Sequence, residues 1–254
     1  MNENTLFHLG VAADRLRAGY ALLPGDPGRV QAIAARLEQA RPISQNREFT
    51  LWRGELAGEP VLVCSTGIGG PSAAIAVEEL HMAGVHTVIR VGTCGAMQPA
   101  LVGGDAVVAT AAVRQEGTAL HYAPPEYPAA ADFAVTRALC DAAASLGLTC
   151  HTGVVQSKDS FYGQHAPERM PVAASLTEKW EAWKRLGVLA SEMECAAIFT
   201  VAASLGMRAG AVLHVLWNQE RERLGLDNPE VHDTLRAIAC AVEAVRRLAG
   251  AKRS

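Results

Sequence analysis

Short apolar runs alternate along this chain with segments whose apolar residues recur every three to four positions. Tyr20–Leu23 predicts a short strand. Arg29–Glu38 predicts a helix, with Val30, Ile33, Ala34 and Leu37 on one face. Phe49–Leu56 and Val61–Ser65 predict a hairpin around Ala57-Gly58-Glu59. A glycine-rich turn, Gly67–Ser72, leads into a helix over Ala73–Ala83. Thr87–Val91 reads as a buried strand by its β-branched content, and Asp105–Thr110 as another. Phe133–Leu146 is an amphipathic helix ended by Gly147, and Gly153–Gln156 a strand. Glu194–Leu205 is an alanine-rich helix ended by Gly206, Arg208–Val215 a strand, and Pro229–Leu248 the final helix. Residues 157–178, with Gly163, Pro167 and Pro171, show no clear period and predict an irregular lid or binding loop.

This alternation predicts α/β layers around a largely parallel or mixed sheet. With no Ser/Gly linker, low-complexity segment or repeat in 254 residues, one domain over 1–254 is expected. Half the residues are hydrophobic, enough for a sizeable core. A net charge of −3 argues against a nucleic-acid partner, and Arg246-Arg247 and Lys252-Arg253 read as a solvated helix end. No apolar run is long enough for a membrane span. Met1-Asn2-Glu3-Asn4 carries no basic region followed by an apolar run, so no signal peptide is expected. The six cysteines form no C-x-x-C pair; Cys64, Cys140 and Cys240 read as small core residues, and reduced thiols imply the cytoplasm.

Candidate chemistry begins where two strands end. Ala21-Leu22-Leu23 runs into Pro24-Gly25-Asp26-Pro27-Gly28-Arg29, and Thr87-Val88-Ile89 into Arg90-Val91-Gly92-Thr93. Ligands of open α/β sheets gather beyond the carboxyl ends of the strands. Arginine holds phosphate oxygens bidentately, and glycine lets the backbone approach an anion closely. An anion site is therefore expected. Gly67-Ile68-Gly69-Gly70 lacks the G-x-G-x-x-G spacing, and no acidic residue follows the next strand, which excludes a dinucleotide loop.

Glu192-Met193-Glu194 at a helix start has two readings: favourable charges for the helix dipole, or a carboxylate accepting from a sugar diol. Asp159-Ser160-Phe161-Tyr162-Gly163-Gln164 sets aromatics beside an amide, either as a surface loop or as a base-stacking and base-reading pair. The histidines show no metal-binding spacing, Glu78-x-x-His81 occurs once, and no transition metal is expected. His8 alone reads as an ordinary surface histidine.

Together, several segments resemble the nucleoside phosphorylase-I family, and within it the branch that acts on uridine. They are Phe7-His8-Leu9-Gly10, Pro24–Val30, Arg47-Glu48-Phe49-Thr50, Cys64–Ser72, Arg90–Thr93, Phe161-Tyr162-Gly163-Gln164 and Glu192-Met193-Glu194, and they span nearly the whole chain. The resemblance implies a three-layer α/β/α domain with a mixed, partly barrel-like sheet. It implies a pyrimidine-salvage enzyme that converts uridine and phosphate reversibly to uracil and ribose 1-phosphate.

It also implies roles for named residues. Gly25, Arg29, Arg90 and Thr93 would bind phosphate, with Arg47 arriving from a neighbouring copy. Met193, Glu194 and Thr93 would hold the ribose, and His8 of the neighbour its 5′-hydroxyl. Phe161, Gln164, Arg169, Leu216 and Trp217 would surround the base. Arg90, Glu194, Gln164 and Arg29 would carry catalysis. No cofactor is required, phosphate being a co-substrate; Glu48, Ile68 and Ser72 match positions that hold a monovalent cation, potassium, at a dimer interface. Shared sites imply a homodimer, and the family assembles dimers into hexamers.

The chemistry is coherent in its own right. The bond to uracil breaks through an oxocarbenium-like state, phosphate held by three arginines attacks the anomeric carbon, and donors meet the charge on the departing base. One departure stands out. Many family members carry an arginine two residues after the glutamine, where this chain has Ala166, so Arg169 or His165 is expected to take its place. A purine phosphorylase needs an acid where Asn218 stands, and an amide cannot supply one. A nucleosidase would need no arginine cradle, and a non-catalytic nucleoside-binding protein would not need Glu194.

Overall fold

The structure is a computed structural model and describes residues 5–250. Met1–Asn4 and the basic pair Lys252-Arg253 lie outside the described residues. In chain order the elements are β1 (Thr5–Leu6), β2 (Val11–Ala12), β3 (Tyr20–Pro24), α1 (Gly28–Ala34), β4 (Glu38–Asn46), β5 (Phe49–Leu56) and β6 (Glu59–Cys64). Next come α2 (Gly70–Met82), β7 (Thr87–Ala96), β8 (Ala106–Gln115), β9 (Ala129–Ala130), α3 (Phe133–Ser145), β10 (Cys150–Lys158) and α4 (Phe161–His165). The chain continues through α5 (Ala173–Arg185), β11 (Ala190–Glu192), α6 (Cys195–Ser204), β12 (Arg208–Asn218), α7 (Gln219–Arg223) and α8 (Leu235–Gly250).

The main sheet runs β11-β10-β8-β12-β7-β3-β6-β5-β4, with parallel and antiparallel neighbours. The short strand β11 also pairs antiparallel with β7, which closes β11, β10, β8, β12 and β7 into a ring. This is the mixed, partly barrel-like sheet that the resemblance implied. Two apolar layers sandwich it. One holds Val77 and Leu80 of α2 with Ile198 and Phe199 of α6. The other holds Val30 and Ile33 of α1, Leu139 of α3, and Ile238, Val242 and Val245 of α8. Among the described residues no helix is long and apolar enough to cross a membrane.

The hairpin between β5 and β6 turns on Ala57 and Gly58, both at positive φ, the geometry that suits the twist of the flanking strands. Elsewhere the structure corrects the sequence reading. The first helix ends at Ala34, and Glu38 opens β4, an edge strand with no continuous apolar face, which also tolerates Pro42. The stretch 157–178 is not irregular: it completes β10, forms α4 and a 3-10 turn at Pro167–Arg169, and enters α5. Of α5 only Trp180 is buried, so its apolar period is faint. Glu192 ends a strand instead of opening a helix, and the last helix starts at Leu235, where Asp233 accepts from the Leu235 amide.

Candidate functional site

A cleft of about 680 Å³ opens where β3, β7, β10, β11 and β12 end. One end is basic. Arg90, from the fully buried first half of β7, places Nε 2.9 Å from Glu192 and Nη2 against Glu194. Its Nη1 is buried and has no partner among the described residues. Arg29, at the start of α1, donates Nη1 to the Val91 carbonyl at 3.2 Å. Burial and the nearby Arg90 charge lower the Arg29 pKa below its ordinary value. Gly25 lies between the two guanidiniums. A Cβ there would sit 3.2 Å from the Gly67 carbonyl, 3.8 Å from Arg29 Nη2 and 3.9 Å from Arg90 Nη1. Two converging cations, an unused donor and a glycine without a side chain form a socket for an oxyanion.

The two acidic residues divide their work. Glu192 accepts from Arg90 Nε, Ser157 Oγ and the Glu194 and Cys195 amides, so it is spent on tying α6 to the arginine. Glu194 accepts from the Gly69 amide at 2.6 Å and pairs with Arg90. Burial raises its pKa, opposed by Arg90 and helped by Glu192. It lines the cleft beside Met193 and Thr93, with acceptor capacity for a diol. Glu192 is therefore engaged at the start of α6, while Glu194 faces the cleft.

The other end is aromatic. Phe161 and His165 lie with ring centroids 4.3 Å apart, and Trp217 follows at 5.9 Å from His165. Leu216 and Trp217 reach the cleft because β12 breaks register against β7 between Val215 and Trp217, a bulge that re-aims side chains. Lys158 ends β10 here. It is buried, donates to Ser191 Oγ at 2.8 Å and lies 6.0 Å from the Phe161 ring centre. Burial drives its pKa down to about 8, against the pull of Glu192, Glu194 and Cys94. Burial, then the Lys158 charge, brings His165 down to about 4, so the ring is neutral near pH 7. Arg29, Arg90 and Lys158 are the cations lining this cleft among the described residues.

A sequence profile described as "Phosphorylase superfamily" matches residues 20–249. The chain belongs to that superfamily. It is similar to the uridine phosphorylase of Treponema pallidum, 51% identical over 242 residues, 95% of this chain and 93% of the relative. The uridine phosphorylase of Escherichia coli is 45% identical over 252 residues, 98% of this chain and 100% of the relative. A guanosine phosphorylase of Halorubrum lacusprofundi is 42% identical over 195 residues, 77% of this chain and 76% of the relative.

Against the expectations for this superfamily member, the cleft gathers Gly25, Arg29, Arg90, Thr93, Met193, Glu194, Phe161, Leu216 and Trp217. Glu48 and Ile68 line it as well, and Ser72 Oγ lies 2.7 Å from Glu48 Oε1. Arg47, exposed, and His8, half-buried and held by Glu79, both lie outside the cleft of their own chain. Gln164 faces an adjoining cavity of about 210 Å³, where Ser191 Oγ donates to its Oε1 and its Nε2 donates to Gln219. Arg169 is exposed and sits 5.7 Å from the Tyr162 ring centre, away from the cleft. Of the two residues expected to replace the arginine absent at Ala166, only His165 lines the site. Lys158 escaped the sequence reading, although β10 carries it into the cleft as β7 carries Arg90.

Proposed function

We propose that the protein is a uridine phosphorylase, cleaving uridine with phosphate to give uracil and ribose 1-phosphate. The observation that carries this reading is the cleft's polarity: an oxyanion socket of Arg29, Arg90 and Gly25 at one end, a flat aromatic end with Lys158 at the other, and Glu194 between. Phosphate in the socket would sit beside the ribose held by Glu194 and Met193, stabilise its oxocarbenium character and attack the anomeric carbon. The base would stack near Phe161, and Lys158 would meet the charge that develops as uracil leaves, so no side chain need protonate the ring. Neutral His165 contributes a hydrogen bond rather than a second charge. Gln164 would read the base edge by exchanging its bonds to Ser191 and Gln219 for bonds to uracil.

A purine phosphorylase is the alternative, and Asn218 speaks against it. Its Nδ2 donates to the Gln98 and Leu101 carbonyls, and its Oδ1 accepts from the Glu220 and Arg221 amides. It is committed to holding α7 and cannot act as an acid toward a purine. A nucleosidase would leave the Arg29–Arg90 socket without a role.

In this reading the working unit is a homodimer, with Arg47 and His8 completing the neighbour's site, and three dimers form a hexamer in the cytoplasm. Exposed Phe7 and Ile68, 62% and 78% accessible, give a second copy apolar surface to cover. Glu48, Ile68 and Ser72 would hold a potassium ion there. The Ser72 hydrogen bond keeps the Glu48 carboxyl below its ordinary pKa, and oxygen donors suit a hard cation. The test is base release from uridine by the purified protein with and without phosphate, with inosine as the purine control.

A further inference from the structure

Glu79 lies buried on α2, outside the cleft. Among the described residues, every hydrogen bond of its side chain goes to one turn. Its carboxylate accepts from the His8 amide at 2.8 and 3.1 Å, from the Leu9 amide at 2.7 Å and meets His8 Nδ1 at 2.8 Å. The backbone of this turn has other supports, since Asn46 Nδ2 donates to the His8 carbonyl and Ser44 Oγ to the Leu9 carbonyl, each at 2.7 Å. The ring is also boxed edge-on by Phe7 and Phe49 at 4.9 and 6.2 Å between centroids. What Glu79 adds beyond these is chemical. An ionised carboxylate only accepts, so the imidazole nitrogen facing it must carry the proton.

We infer that Glu79 is a positioning residue that fixes the His8 tautomer, presenting an unprotonated Nε2 to the sugar 5′-hydroxyl in the neighbouring copy's cleft. This rests on the uridine phosphorylase reading, in which His8 reaches that hydroxyl. The arrangement parallels carboxylate–histidine pairs that set which ring nitrogen faces a ligand. Glu79→Gln reverses the constraint: the amide can turn an N–H toward Nδ1, which places the proton on Nε2 and removes the acceptor.

The experiment compares uridine with 5′-deoxyuridine, which lacks the hydroxyl, as the ratio of kcat/KM within each preparation, so that any misfolded fraction cancels. Relative to wild type, Glu79→Gln is expected to lower that ratio about fivefold, the worth of one neutral hydrogen bond. The loss should fall on KM for uridine, and His8→Ala should lower the ratio in the same direction. Nitrogen-15 NMR of the ligand-free protein should show the neutral ring protonated on Nδ1 in wild type and on Nε2 in Glu79→Gln. A wild-type ratio in Glu79→Gln alongside a lowered ratio in His8→Ala would overturn the role of Glu79. An unchanged ratio in His8→Ala would overturn the assignment of His8 itself, and with it this inference.

Discussion

Replacing Lys158 with methionine should make the protein both more stable and far less active. Methionine keeps an unbranched stem of similar length and needs no hydrogen bond. Lys158 has its pKa brought from 10.5 in an exposed lysine to about 8 by burial, despite Glu192 and Glu194 nearby. At 1.36 kcal/mol for each tenfold change in proton affinity, keeping that charge costs the folded state about 3 kcal/mol at pH 7. The sign follows from proton counting. Below pH 8 both folded and unfolded chains hold the proton and the cost is present in full. Between pH 8 and 10.5 the unfolded chain holds more protons, so the cost fades as pH rises. Losing the bond to Ser191 returns about 1 kcal/mol, which leaves Lys158→Met more stable by about 2 kcal/mol, or about 6 °C in Tm. Removing a preorganised donor from the departing base should lower kcat by 10²- to 10³-fold. Two assays settle it: thermal unfolding at pH 7 and at pH 10, where the gain should shrink, and turnover of uridine against 5-fluorouridine. Fluorouracil is the better leaving group, so its nucleoside should lose less than uridine. Equal losses for the two nucleosides would refute the idea that Lys158 meets charge on the base, and a fall in Tm at pH 7 would refute the cost assigned to its burial.

Other consequences follow from the same geometry. Gly25→Ala places a methyl between Arg29 Nη2 and Arg90 Nη1, 3.2 Å from the Gly67 carbonyl, and should raise KM for phosphate at least tenfold while KM for uridine moves little; initial rates over a phosphate series read this directly. Arg169→Ala should leave uridine turnover within about twofold of wild type, because the side chain points to Tyr162 and solvent. With His165 held to about 4, the pH profile of kcat/KM for uridine should show no inflection near 6.5, and an inflection there that disappears in His165→Ala would contradict the neutral ring.

Much of this was legible in the sequence because it depends on strand ends and glycine chemistry. Arg29 and Arg90 announce themselves as cations following apolar runs, and the structure brings both to one socket. Lys158 obeys the same rule, yet β10 was expected to stop at Gln156; two further residues of strand carry Lys158 into the cleft. The β11–β7 pairing that closes the ring rests on Ala190 and Ser191 of a three-residue strand, too short for any periodicity to register. Strand β4 and helix α5 were missed for a related reason: one is an exposed edge and the other buries only Trp180, so neither writes an apolar pattern. The division between Glu192 and Glu194 was beyond the sequence because two acids flanking one methionine look alike until their donors are known. Arg169 was expected at the base, whereas its side chain, in a 3-10 turn over Pro167–Arg169, lies by Tyr162.

A cleft that joins a phosphate socket to a pyrimidine nucleoside site makes uracil release depend on phosphate. The most direct test is the purified protein with uridine, and separately with inosine, with and without inorganic phosphate, following base release. Uracil should be released from uridine only when phosphate is present, with equimolar ribose 1-phosphate and little hypoxanthine from inosine. Uracil release that does not need phosphate, or hypoxanthine release that outpaces it, would contradict the phosphate socket or the pyrimidine site respectively.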